Sequence, residues 1–136
     1  MYLFDTNIIL EILLDQAQAE NCQKVLETVD EKHEGWMTSF AIHAIAAILS
    51  KAKKYDRLEI FLKAWREHPF LHCYDTTLDE EIQVCHLSLK SGLDFDDALQ
   101  YFVARKKKLK FVTLDRDFRK VRDIFVFSPG EIIKGH

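Results

Sequence analysis

The sequence predicts an α/β fold: three layers, with a central, mostly parallel sheet of about five strands covered by helices on both faces. Three observations point there. Short apolar runs alternate with longer segments whose apolar residues recur every three or four positions. Gly and Pro number only four and two, so short loops must join the elements. Acidic residues follow some of the apolar runs directly, where parallel sheets place ligand-binding groups.

Residues 2–4 read as the first strand, ending at Asp5. Residues 7–15 and 17–32 read as helices, with Ile8 and Ile12, then Val25 and Val29, on their apolar faces. Gly35 reads as a break before a second strand at 36–38. The segment 40–53 carries Ile42, Ile45, Ile48 and Leu49 at helical spacing, and 56–66 is a further amphipathic helix ended by Pro69. A third strand covers 70–74. Residues 77–90 form a helix opened by a capping box, Thr77 with Glu80, and closed by Gly92. A helix at 96–108, a fourth strand at 110–114 and a fifth at 124–127 complete the pattern.

The 136 residues fit one domain, 1–136, and 48% apolar content supplies its core. A net charge of −3 argues against a broad nucleic-acid surface while leaving room for a local basic patch. Cys22, Cys73 and Cys85 are odd in number and contain no CxxC pair, which points to core thiols rather than disulfides or a zinc knuckle. No apolar run approaches the roughly 18 residues of a membrane helix, and the start lacks the basic segment of a signal peptide. The expectation is a cytoplasmic protein with no membrane contact.

Asp5 follows the first strand, Asp115 follows the fourth, and Asp97 lies in the first turn of the helix leading into the fourth. In a parallel sheet with right-handed crossovers, all three meet at one edge. Each has an ordinary alternative: Asp5 or Thr6 as a helix cap, Asp94 with Asp97 as a capping box, Asp115 as a turn residue. Jointly they suggest a site for magnesium or manganese, hard cations that prefer carboxylate oxygen and that assist phosphodiester hydrolysis.

Three motifs add a family resemblance. Phe4-Asp5-Thr6-Asn7-Ile8-Ile9-Leu10 resembles the opening strand and turn of PIN domains, including VapC-type toxins. Gly92-Leu93-Asp94-Phe95-Asp96-Asp97-Ala98-Leu99 resembles their segment before a later acidic position. Val112-Thr113-Leu114-Asp115-Arg116-Asp117-Phe118 resembles their Thr-x-Asp-x-Asp-Phe signature. The likeness runs in order from Met1 to about Ile124. It implies an α/β/α nuclease fold, a Mg2+ or Mn2+ site, and Asp5, Asp97 and Asp115 as metal-binding, catalytic residues. Asn7, Thr113 and either Thr38 or Ser39 would support the site, and Asp117 would bond the turn.

The implied activity is a metal-dependent endoribonuclease, such as the toxin of a toxin–antitoxin pair. The implied partners are RNA, an antitoxin protein and a second copy of the chain, the last through the apolar helices at 40–62. One departure supports an alternative, a catalytically impaired scaffold that binds RNA or protein. The glutamate that the family carries in the helix after strand two is missing, and Ala46, or else Ile45, is read at its place. Glu11 is a candidate substitute, and His43 lies on the same helix as the missing acid. Arg116 and Arg119, with Arg122 beyond, flank Asp115 as candidate phosphate contacts. The run Arg105, Lys106, Lys107, Lys108 and Lys110 sits at the far end of its helix, where cations suit the dipole.

Overall fold

The computed structural model describes residues 1–135, with the side chain of Arg119 outside the described set. Strands β1 (Tyr2–Phe4), β2 (Gly35–Thr38), β3 (Leu71–Tyr74), β4 (Lys110–Val112) and β5 (Val126–Phe127) form one sheet in the order β3-β2-β1-β4-β5. Every neighbouring pair is parallel. The helices are α1 (Thr6–Leu13), α2 (Ala19–Glu27), α3 (Ser39–Lys51), α4 (Tyr55–Glu67), α5 (Leu78–Ser91), α6 (Phe95–Lys107) and α7 (Pro129–Ile133). The expected three-layer α/β/α arrangement is therefore present.

Alternation along the strands creates two cores. Tyr2, Phe4, Met37 and Val112 face α1, α2, α3, α4 and α7, while Leu3 and Phe111 face α5, α6 and Phe118. The chain builds outward from β1 to β2 and β3, then returns to add β4 and β5 on its other side. That reversal makes the β1–β4 boundary the switch point of the sheet, where parallel α/β folds open a crevice beyond the strand ends.

Several boundaries differ from the sequence expectation for local reasons. α1 stops at Leu13 because Asp15 turns left-handed at φ 51°. α2 stops at Glu27, short of residue 32, as the Asp30 carboxylate gathers the Lys32 and His33 amides into a tight turn. β4 ends at Val112 because the Leu114 amide is taken by Asn7 Oδ1. A 3-10 turn at Arg116–Lys120 and the short α7 were not expected, although Ser128-Pro129-Gly130-Glu131 spells a capping box with Pro in the first turn.

Gly35 is not a break but the buried first residue of β2. A Cβ there would stand 2.6 Å from the Phe4 ring and 2.8 Å from Leu71 Cδ2. Gly35→Ala should therefore cost about 1–3 kcal/mol by overpacking, read as a lower urea midpoint with an unchanged slope.

Thr77 and Glu80 form the expected capping box, and Gly92 closes α5 at φ 78°. Glu80 is also buried, receiving Lys106 Nζ at 2.7 Å and the Tyr74 hydroxyl. The Lys106 hydrogen bond, then those of Tyr74 and the Thr77 amide, lower its pKa to about 2. A depressed carboxyl stabilises the fold fully above its unfolded value and loses that contribution as pH falls toward 2. Glu80→Gln should cost about 1–2 kcal/mol at neutral pH, discounted because Lys106 is half-exposed. It should also flatten the acid limb of the stability curve between roughly pH 4.5 and pH 2, measured by denaturant titration.

Candidate functional site

The C-terminal ends of β1 and β4 lie side by side, joined by the Asp5 amide donating to the Val112 carbonyl at 3.0 Å. Asp5 is the first residue beyond β1 and is nearly fully buried. Its Oδ1 accepts from the Thr6 amide at 2.7 Å. Its Oδ2 accepts from the Thr113 hydroxyl at 2.7 Å and the Asn7 amide at 3.2 Å. Asn7 also donates to Thr113 Oγ1 and accepts from the Leu114 amide, both at 3.2 Å. Thr113 Oγ1 further accepts from the Asp115 amide at 3.0 Å. One polar network thus ties the two strand ends together and fixes the direction of Asp5.

Asp5, Asp96, Asp97 and Asp115 line one pocket of about 310 Å3. Thr6, Asn7 and Gln100 are its neutral polar members; Leu10, Phe40, Ala44 and Ile48 make an apolar wall. Burial raises the pKa of Asp5 despite the Thr113 and Thr6 hydrogen bonds, with Asp115 and Asp96 adding repulsion. Burial, then the charges of Asp96, Asp5, Asp115 and Asp94, push Asp97 up to about 6. Asp94 occupies the N-cap of α6 but makes no side-chain cap bond, so the capping-box alternative for Asp97 does not hold. Asp115 does cap its turn, accepting from the Asp117 amide at 2.9 Å.

Among the described residues, no Lys, Arg or His forms an ion pair with any of these four carboxylates. An uncompensated cluster of this kind fits a hard divalent cation in charge and donor chemistry. Among those residues, however, no three His, Cys, Asp or Glu side chains already stand as a ligand cluster. The donors share a pocket rather than a closed cage.

The remaining candidates are distributed as follows. Thr38 is fully buried and outside the lining, its Oγ1 accepting from the Ala41 amide and donating to Oε1 of Gln100, which is in the lining. Ser39 begins α3 and does not line the pocket. Asp117 and His43 are exposed and also lie outside the lining. Arg116 lines a neighbouring cavity of about 490 Å3 that shares Asp115 and includes Glu11. Glu11 accepts from the Gln18 amide at 2.9 Å and does not reach the four-carboxylate pocket. Arg122 is exposed, and the Arg119 side chain lies outside the described residues. At the opposite edge, Lys106 pairs with Glu80, Arg105 with Asp123, and Lys107 covers the Trp36 ring at 4.3 Å.

One correction concerns the missing acid. Ala44, with Phe40 and Ile48 one turn on either side, faces the carboxylates; Ala46 is not in the lining and Ile45 is buried in the core. Asp96 and Gln100 were not singled out from sequence. A glutamine four residues after Asp96, inside the apolar stretch 98–104, was the available signal.

Residues 2–124 match the family model of the PIN domain. No functionally curated protein matches the chain. Among solved structures, the chain resembles VapC20 of Mycobacterium tuberculosis, a toxin that cleaves the sarcin–ricin loop. The TM-score is 0.76 at 15% identity, covering 92% of this chain and 99% of that one. A toxin–antitoxin complex from Klebsiella pneumoniae gives a TM-score of 0.72 at 19% identity over 95% and 98% of the two chains. VapBC2 from Rickettsia felis, bound to promoter DNA, gives 0.72 at 18% over 93% and 97%. At such identities these likenesses speak to the fold.

Proposed function

Because the chain belongs to the PIN domain family, and because four carboxylates share one pocket with no described cation to neutralise them, we propose that it is a metal-dependent endoribonuclease. Asp5, Asp97 and Asp115 would hold Mg2+ or Mn2+, with Asp96 beside them. Bound there, the ion supplies Lewis acidity at the phosphate and activation of water. The chain's own part is positioning. Thr113, Asn7 and the Thr6 amide hold both oxygens of Asp5 in place. Thr38, at the end of β2, caps α3 and ties it to Gln100 of α6 in the pocket lining. Asp97 keeps its proton up to about pH 6, so affinity for a divalent ion should rise as pH passes through that value.

The proposed partners are RNA, an antitoxin protein and a second copy of this chain. The toxin–antitoxin complexes among the structural neighbours support the antitoxin. Arg116, beside Asp115, would meet phosphate; Arg119 follows it in the sequence.

One observation favours a second reading, an impaired scaffold that binds RNA or protein: α3 offers the pocket Phe40, Ala44 and Ile48 but no acid. The deciding experiment is isothermal titration of Mn2+ into wild type and the Asp5→Asn, Asp97→Asn and Asp115→Asn variants, paired with cleavage of a structured RNA with and without chelator. The nuclease reading expects weaker binding in each variant and chelator-sensitive cleavage by wild type. Binding untouched by all three substitutions removes the site, and metal binding without cleavage selects the scaffold.

A further inference from the structure

Asp115 stands between two cavities. On one side lies the four-carboxylate pocket, and on the other the cavity of about 490 Å3 that Arg116 and Glu11 line. Its volume falls within the roughly 300–1,000 Å3 of sites that enclose a small organic ligand. The polar wall comes from two neighbouring elements, Glu11 from α1 and Gln18 and Asn21 from the start of α2. Leu114 and Val126 add apolar surface for the face of a ring.

The polar wall keeps hydrogen-bonding groups in reserve. Asn21 Nδ2 donates to Gln18 Oε1 at 3.2 Å, and Glu11 Oε2 accepts from the Gln18 backbone amide at 2.9 Å. Among the described residues, no hydrogen bond engages the Gln18 side-chain amino group, Asn21 Oδ1 or Glu11 Oε1. The amide pair therefore presents one wholly free amino group and one free carbonyl. Reversing both amides leaves the same complement. Glu11 adds a second acceptor.

Such a wall does not suit a phosphate, which accepts hydrogen bonds and which Glu11 repels. It suits the edge of an unstacked nucleobase. Guanine is the base whose pairing edge carries one acceptor and two donors: O6, N1–H and the N2 amine. Adenine and cytosine each carry one donor group there, and uracil carries one donor between two acceptors.

We infer that this cavity receives the guanine of a nucleotide flanking the phosphodiester at the metal pocket. The Gln18–Asn21 pair donates to O6 and accepts from one base donor, and Glu11 accepts from the other. Asp115, shared by both cavities, sets base and phosphate in adjoining spaces, with Arg116 at the same wall. The inference rests on the nuclease reading for the strand that delivers the base. The base contact itself needs neither metal nor cleavage, so the two can fail separately.

The test is titration of the mononucleotides of guanosine, adenosine, cytidine and uridine into the isotope-labelled full chain in chelator, followed by amide NMR up to about 10 mM, which captures millimolar affinity. Guanosine monophosphate should shift the Gln18 and Asn21 side-chain amide resonances and bind at least about fivefold tighter than the other three. Inosine monophosphate, which lacks the N2 amine, should bind more weakly than the guanosine form. Gln18→Ala with Asn21→Ala should erase the preference at an unchanged melting temperature, and Glu11→Gln should weaken guanosine binding in the same way. Equal affinity for all four, or binding of none, overturns the inference. So does a guanine preference that survives both variants, because the base then sits elsewhere. Cleavage of a mixed-sequence RNA with no enrichment of guanine beside the cut also overturns it while leaving the nuclease reading in place. Guanine-selective binding by a chain that cleaves no RNA upholds the base site and counts against the nuclease reading.

Discussion

Asp97→Asn is expected to yield a protein that is more stable without metal and at least about 100-fold less active with it. The two effects share one cause. Burial and four neighbouring aspartates raise the Asp97 pKa to about 6. A carboxyl raised in the folded state destabilises the fold once ionised, so stability falls as pH climbs from about 4 through 6 and stays low above. Asparagine cannot ionise and removes that penalty. The gain at pH 7 should be about 1–2 kcal/mol, discounted from the full shift because the side chain is only half-buried. Groups that merely support metal ligands typically cost 10–100-fold when lost, so a direct ligand belongs at or beyond about 100-fold. Thermal melts at pH 4.5 and pH 7.5, with and without Mn2+, read both halves. Equal melting temperatures for variant and wild type at pH 7.5 without metal would contradict the electrostatic account. The ion should raise the melting temperature of wild type well above its effect on the variant.

Ala44→Glu should tighten Mn2+ binding about tenfold, because ligand charge governs affinity for hard cations. Ala44 lines the pocket with Asp5, Asp97 and Asp115, so a glutamate there adds a fifth carboxylate within reach of the ion. Without metal the same change should lower the melting temperature, since it adds like charge to an already repulsive cluster. Ala46→Glu is the matched control: residue 46 does not line the pocket and should leave affinity unchanged. If wild type proves inert and Ala44→Glu cleaves RNA, the natural chain is a scaffold. If both cleave, the three aspartates with Asp96 suffice. Equal affinities for wild type and Ala44→Glu would show that α3 does not approach the ion.

These two positions also mark how far the sequence could be read. Asp5, Asp97 and Asp115 were legible because each is fixed by a local event, the end of a strand or the start of a helix. Ala44 was not, because a helix turns 100° per residue and the choice between 44 and 46 swings a side chain through 200°. The phase of α3 is set by Thr38, whose hydroxyl caps the helix and binds Gln100 from 62 residues away. Gly35 was misread for a similar reason. A glycine before an apolar run usually marks a turn, and only the approach of the Phe4 ring and Leu71 reveals why a hydrogen is required there.

The amino-acid order alone determined the alternation of strands and helices, the two-sided apolar pattern of the sheet, the capping box of α5 and the three acids at element ends. All of these follow from hydrogen bonding and burial within a few residues of chain. Tertiary structure alone decided that β1 lies between β2 and β4, and therefore that Asp5 and Asp115 face one crevice. It also decided which wall of that crevice is apolar, and that the outer face of α5 is left uncovered. Those outcomes depend on which distant surfaces pack together to bury the most apolar area, and no short window of sequence records that choice.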